Sequence, residues 1–278
     1  MEKLQHRTGK TVAKSKPSSL KERLKLADFG TGLTFLFALI AWEVVSRVFH
    51  IPVYILPPPT LIIGQFFARF GMIWNHARVT IFEVMLGYGT SILIAIPTAV
   101  AISRSRFVEK TVYPLLVSSQ FVPKTAIAPL FIIWFGFGVM PKVMLTFLMS
   151  FFPLLVDSVI GFKSLRPEME YLAKSMGASP LQIFRRIQFP NALPNIFGGL
   201  KVSGAFATSG AVVAEFVGSD SGLGYLLLRA NGDFDTELLF AILFFLTAFG
   251  YALYALVELV ERATIPWHVS KRGEAAGQ

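Results

Sequence analysis

Long apolar runs separated by short polar breaks dominate this sequence. Six windows, 30–48, 79–102, 111–135, 143–162, 195–217 and 238–260, are almost wholly apolar and take up close to half the chain. Each is near the length of about 20 residues that a helix needs to cross bilayer hydrocarbon. Hydrocarbon offers no water to a backbone N–H or C=O, so each run is expected to satisfy its own groups as a helix. The pattern predicts an all-α membrane protein. Its six-transmembrane-helix bundle runs over 28–264, with a long polar loop at 164–190 and polar tails at 1–27 and 265–278.

The breaks carry their own signals. Pro52 and Pro57-Pro58-Pro59 predict an extended stretch. Residues 60–76 then read as an amphipathic segment lying near the outer surface, with Phe66, Phe67, Phe70 and Trp74 suited to the interface. Gly136, Gly138 and Pro141 predict a tight turn over 136–142, and the glycine-rich stretch 218–237 is expected to re-enter or cap the bundle. A basic N-terminal region precedes the first apolar run, as in a signal peptide. Trp42 and Glu43 follow that run without a small-x-small cleavage pattern, so it reads as an uncleaved first helix.

Composition agrees with the membrane reading, at 54% apolar and 15% charged. The absence of cysteine excludes disulfides, cysteine metal sites and a cysteine nucleophile. Most of the 26 lysines and arginines fall in the N-terminal tail, in 103–110, in 163–190 and in the C-terminal tail. An even number of crossings puts all four pieces on one side, which the positive-inside rule makes cytoplasmic. The net charge of +9 is then mostly topology plus contact with anionic lipid, and no nucleic-acid partner is needed to explain it.

The 164–190 loop contains the most specific local signals. Pro167 suits a first helical position, and Glu168 and Glu170 complement the helix dipole in the first turn. Gly177 is a left-handed stop. Ser179-Pro180-Leu181-Gln182 is a second start, with Ser179 and Gln182 forming a capping box. The second helix carries Ile183, Phe184 and Ile187 on one side, with Arg185 and Arg186 elsewhere, and is expected to end before Pro190. The spacing from Gly177 through nine residues to Ile187, then one residue to Phe189-Pro190, resembles the EAA loop of permease subunits of ABC-type importers. That loop runs Glu-Ala-Ala, three residues, Gly, nine residues, Ile, one residue, Leu-Pro. Ala173 matches the second alanine, Tyr171 and Leu172 depart from Glu-Ala, Glu170 lies one place early, and Phe189 replaces Leu.

Stretches 42–59, 123–143, 210–228 and 257–268 extend the resemblance to nearly everything after residue 30. They look like the subgroup that includes nitrate, sulfonate, taurine and pyrimidine-precursor importers. The resemblance implies a six-helix permease of the ABC importer type, without catalytic residues, metal or cofactor of its own. Ser179–Phe189 would be the coupling helix on a dimer of ATPase subunits that carry the ATP, with Phe184 and Ile187 as apolar anchors and Arg185 or Arg186 pairing with acids. A periplasmic or lipoprotein solute-binding receptor would deliver a small solute to a pathway shared with a second permease copy.

Charges within spans are functional suspects. Lys124 lies between Pro123 and Pro129, where a broken helix can line a cavity, and Ser118 and Gln120 precede it. Thr208, Ser209 and Glu215 are further pathway-lining candidates, within and just beyond the small-residue run 203–210. Glu83 and Asp157 near helix ends read as neighbours' hydrogen-bond partners. Lys124 and Asp157, separated by roughly 12 Å in depth on straight helices, are not expected to pair. A self-sufficient secondary transporter is the alternative; it predicts internal repeats and midplane ion sites, and no repeat is evident. A membrane enzyme is disfavoured because His6, His50, His76 and His268 are dispersed outside the spans and no paired intramembrane carboxylates stand at helical spacing, and no Gly-x-x-x-x-Gly-Lys-Ser/Thr motif is present for this chain to bind ATP that way.

Overall fold

The computed structural model describes residues 20–266, with side chains from residue 33; residues 1–19 and 267–278 of the expected tails lie outside it. The chain divides into two compact units, 1–52 and 53–278. The first holds one helix, α1 (Leu20–Val48), which contains the first apolar window and carries an Arg47–Glu43 ion pair one turn apart.

The second unit is built of helices joined by short loops. Its elements are α2 (Pro59–Ala68), α3 (Phe70–Arg104), α4 (Arg106–Ser118), α5 (Ala128–Phe135), α6 (Val139–Lys163), α7 (Pro167–Ser175), α8 (Pro180–Ile183), α9 (Phe189–Gly218), α10 (Leu223–Gly232) and α11 (Thr236–Thr264). The core sits where α3, α6 and α9 meet. Ala95, Ala99, Leu154, Leu155, Phe162, Ala192 and Ile196 are buried there. Close approach is set by glycines: a Cβ on Gly87 would lie 2.5 Å from Thr146 Cβ, and one on Gly161 would lie 2.8 Å from Ala192 O. Lipid is as apolar as leucine, so such small-residue contacts, rather than burial from water, hold spans together.

Three expectations change. Residues 60–76 are not one surface segment: α2 ends at Arg69, and Phe70 already opens α3, whose 35 residues make it roughly 52 Å long. Nothing at 70–78 interrupts the helical backbone, so the helix expected at 79–102 begins at Phe70 instead. Trp74 and Phe66 pack on Phe245 of α11, with ring centroids 6.5 and 6.4 Å apart. The 136–142 turn is shorter than expected, because α6 begins at Val139 with Pro141 in its first turn, where a missing N–H is no loss.

The 111–135 window is not one straight span. It is broken into α4 and α5, which are bent by 84° about two short 3-10 turns at Ser119–Phe121 and Lys124–Ile127. Pro123 has no N–H and holds Val122 extended, which ends α4. Among the described residues, four helical stretches (α3, α6, Pro180–Gly218 and α11) are long and apolar enough to cross a membrane, or five if the bent pair counts as one.

Candidate functional site

The 164–190 loop projects from one end of the bundle as two helices around a glycine corner. Helix α7 has Pro167, Glu168 and Glu170 in its first turn. Its end is a Schellman motif: Gly177 N–H donates to Lys174 O, Ala178 N–H donates to Ala173 O, and Gly177 sits at φ +79°. The capping box is formed, with Ser179 N–H donating to Gln182 Oε1 at 2.7 Å and Gln182 N–H donating to Ser179 Oγ at 3.3 Å. Glu170 pairs with Lys174 at 2.7 Å and holds that ammonium above its ordinary range.

The second helix does not end before Pro190. Residues 180–218 run as one 39-residue rod, because Phe184–Gln188 widen into a π turn in which Phe189 N–H reaches Phe184 O. The extra residue per turn lets a proline enter a helix without leaving a ladder bond broken. Phe184 is half-buried, stacked on Phe162 at 6.0 Å, with the Arg104 guanidinium 4.5 Å from its ring centre. It therefore joins the loop to the bundle, and Gln188 Nε2 donating to Phe162 O at 3.1 Å adds to that joint. Ala173 and Ile183 are buried between the two short helices, and Ile187 and Pro190 are half-buried. Arg185, Arg186, Met176 and Leu181 are exposed. A shallow groove of about 370 Å³ runs past Gly177, Gln182 and Arg186.

The pathway candidates separate into two places. Ser118, Gln120 and Lys124 share the α4–α5 break; Lys124 Nζ donates to Gln120 O at 3.4 Å and lies 5.1 Å from the Phe152 ring centre. No ion pair joins Lys124 to Asp157 among the described residues. Asp157 instead packs against Gly199. The Thr208 and Ser209 hydroxyls bond back to Gly204 O and Ala205 O of their own helix.

Glu215 lies elsewhere. It is buried at the opposite end of the bundle from the 164–190 loop, accepting from Thr80 Oγ1 at 2.7 Å and from Gly224 N–H. It belongs to a polar cluster with Glu83, Lys142 and Ser219, in which Lys142 Nζ is 2.5 Å from Glu83 Oε1. A second buried ion pair joins Lys201 of α9 to Glu261 of α11 at 2.5 Å, with Tyr254 beneath the ammonium.

Comparison with known proteins bears on this geometry directly. The profile described as binding-protein-dependent transport system inner membrane component matches residues 91–266. The chain belongs to that family. The riboflavin transport system permease protein RibX of Chloroflexus aurantiacus is 35% identical over 90% of this chain and 94% of its own. The formylaminopyrimidine transport permease protein ThiX of Halalkalibacterium halodurans is 35% identical over 84% and 94%, and the taurine transport system permease protein TauC of Escherichia coli 28% identical over 91% and 92%. An inward-facing structure of the MetNI methionine ABC transporter shares the fold, with a TM-score of 0.54 at 16% identity over 69% of this chain and 93% of that one.

The chain is thus a multi-pass membrane permease subunit of an ATP-driven, binding-protein-dependent importer, a family that works with ATPase and binding-protein partners. Several buried polar residues of the permease were not singled out from sequence. Lys142 read as part of a turn. Lys201 sits inside the 195–217 window, and a lysine there was itself a signal. Its partner Glu261 lies one residue past the last window, where it reads as an ordinary helix-end acid.

Proposed function

We propose that the permease docks an ATPase dimer through the Ser179–Phe189 segment and moves a small solute into the cell. The observation that carries this reading is the preformed corner at Gly177 and Ser179, which presents exposed Met176, Leu181, Arg185 and Arg186 on a capped, rigid element. Apolar anchors ringed by guanidinium groups suit a groove lined by acids. Phe184 serves as the joint to the bundle, so force on the docking element passes to Phe162 of α6 and Arg104 of α3. The tails and this loop then lie in the cytoplasm, a solute-binding receptor meets the opposite end, and a second copy of the chain completes the pathway. The many large apolar residues exposed among the described residues leave ample surface for lipid and for that copy. Ser118, Gln120 and Lys124 at the broken helix are the pathway residues of choice, with Thr208 and Ser209 behind them. ATP binds on the partner, and this chain has no cofactor, metal or catalytic role.

For the solute, a small heterocycle of the pyrimidine-precursor kind is favoured over a sulfonate or inorganic anion. The two relatives at 35% identity named above carry riboflavin and formylaminopyrimidine in their names, against 28% for the taurine permease. The test is purification with native partners, followed by Gly177→Trp. The expected outcome is a co-purifying ATPase whose hydrolysis is uncoupled from uptake in the variant. Undiminished uptake in Gly177→Trp, or uptake with no ATPase present, would overturn the proposal.

A further inference from the structure

The break between α4 and α5 puts irregular backbone midway along the apolar window 111–135. Ser119–Phe121 and Lys124–Ile127 are 3-10 turns, Val122 is extended between them, and the helices on either side are bent by 84°. Two carbonyls there are orphaned: among the described residues no N–H or side chain donates to Phe121 O or Val122 O. The Lys124 ammonium folds back to Gln120 O at 3.4 Å. Ser118, Gln120, Phe121, Val122 and Thr125 are all exposed, Phe121 by 85%.

Hydrocarbon cannot cover such a segment. Non-helical backbone at membrane depth is either buried in protein or faces a water-filled cavity, because an unpaired carbonyl is too costly against lipid. Burial under a second copy would strand the Lys124 ammonium as well. It has the Phe152 ring centre 5.1 Å away and no carboxylate partner among the described residues. A second copy has no span acid to spare for it. Glu83 and Glu261 are paired with Lys142 and Lys201, Glu215 accepts from Thr80 and Gly224, and Asp157 packs against Gly199 of its own chain. An aqueous pathway is therefore the covering that costs least.

Towards that water the break offers three kinds of contact. Phe121 presents an aromatic face, the Phe121 and Val122 carbonyls are acceptors without donors, and the Gln120 amide and Lys124 ammonium donate to oxygen. A flat ring whose edge carries N–H beside C=O answers all three. The ring stacks, its N–H groups bond the carbonyls, and its oxygens meet Gln120 and Lys124. An inorganic anion has neither a ring face nor an N–H, and would leave both carbonyls unpaired. We propose that the α4–α5 break is the solute subsite of the pathway and takes a planar, lactam-edged heterocycle, with Phe121 as its stacking platform. The proposal rests on the importer reading above and adds to it the groups that recognise the solute.

The test uses the complete transporter in lipid vesicles, where the lack of cysteine lets Thr125→Cys give the permease a single thiol. A hydrophilic thiol reagent applied to both faces should label Thr125→Cys about tenfold faster than Leu93→Cys, whose site on the unbroken α3 is 75% exposed and apolar. Riboflavin or uracil should slow the labelling of Thr125→Cys roughly fivefold, and taurine should leave it as it is. Phe121→Leu should raise the heterocycle concentration needed for protection about tenfold, and Phe121→Tyr should restore it. Labelling no faster than at Leu93→Cys, labelling that neither heterocycle slows, or equal protection in Phe121→Leu would overturn the proposal. So would a disulfide joining two Thr125→Cys copies, which would make the break a dimer contact. Failure of these arms in a transporter that still couples hydrolysis to uptake sinks the subsite alone. Protection in a permease that binds no ATPase sinks the docking reading alone.

Discussion

Single methyl groups have opposite consequences at different glycines of this permease. At Gly222 the backbone is left-handed and the Glu215 carboxylate occupies the place of a Cβ, whereas at Gly198 the helix is regular and nothing lies within 4 Å. Gly222→Ala is expected to destabilise by about 2–3 kcal/mol. Gly198→Ala should be neutral or stabilising by up to about 1 kcal/mol. Thermal unfolding of the two purified variants checks the contrast. Gly177 has open space but φ +79°, so alanine strains only the backbone. The expected cost is about 1 kcal/mol, read as roughly fivefold faster hydrogen exchange through residues 173–183. The Lys201–Glu261 pair obeys a different rule, because removing one partner strands a buried charge. Lys201→Met or Glu261→Met alone should cost about 3–5 kcal/mol, and the double variant Lys201→Met/Glu261→Met should recover most of it. A double-variant cycle on unfolding free energies decides that.

Local chemistry was most legible in the elements whose shape is set by near neighbours. The Schellman end at Gly177 and the Ser179–Gln182 box form as the spacing implied, because each needs only residues within six positions. Gln182→Ala should therefore loosen the start of the 180–218 rod by about 1 kcal/mol, visible as faster exchange of the 181–184 amides. Pro190 was misjudged on the same chain. A proline stops a helix when its neighbours cannot reroute their bonds, but the contacts of Phe184 and Gln188 with Phe162 hold the rod in line and the π turn absorbs the missing N–H. Pro123 shows the converse: its ring holds Val122 extended, and the α4–α5 break persists. Pro123→Ala is expected to lengthen α4, displace Lys124 from Phe152 and lower uptake at unchanged ATPase binding. Uptake assays paired with co-purification separate the two effects.

At the scale of the whole molecule, the placement of ends can be tested without disturbing the fold. Phe137 is 81% exposed at the end holding the Glu215 cluster and Met176 is 79% exposed at the other. In intact cells an impermeant thiol reagent should label Phe137→Cys at once and Met176→Cys only after the membrane is opened. Labelling of both, or the reverse order, would invert the proposed topology. Membrane class, helical content, the shape of the Gly177–Ser179 corner and family membership all followed from the sequence, because hydropathy, capping and motif spacing act over a turn or two of chain. What the tertiary structure alone decided is which distant charges meet. Glu83, Lys142 and Glu215 lie on three helices, as Lys201 and Glu261 lie on two. One-dimensional spacing has no term for the rotation of one helix against another. Only the packed bundle turns isolated, costly charges into paired ones.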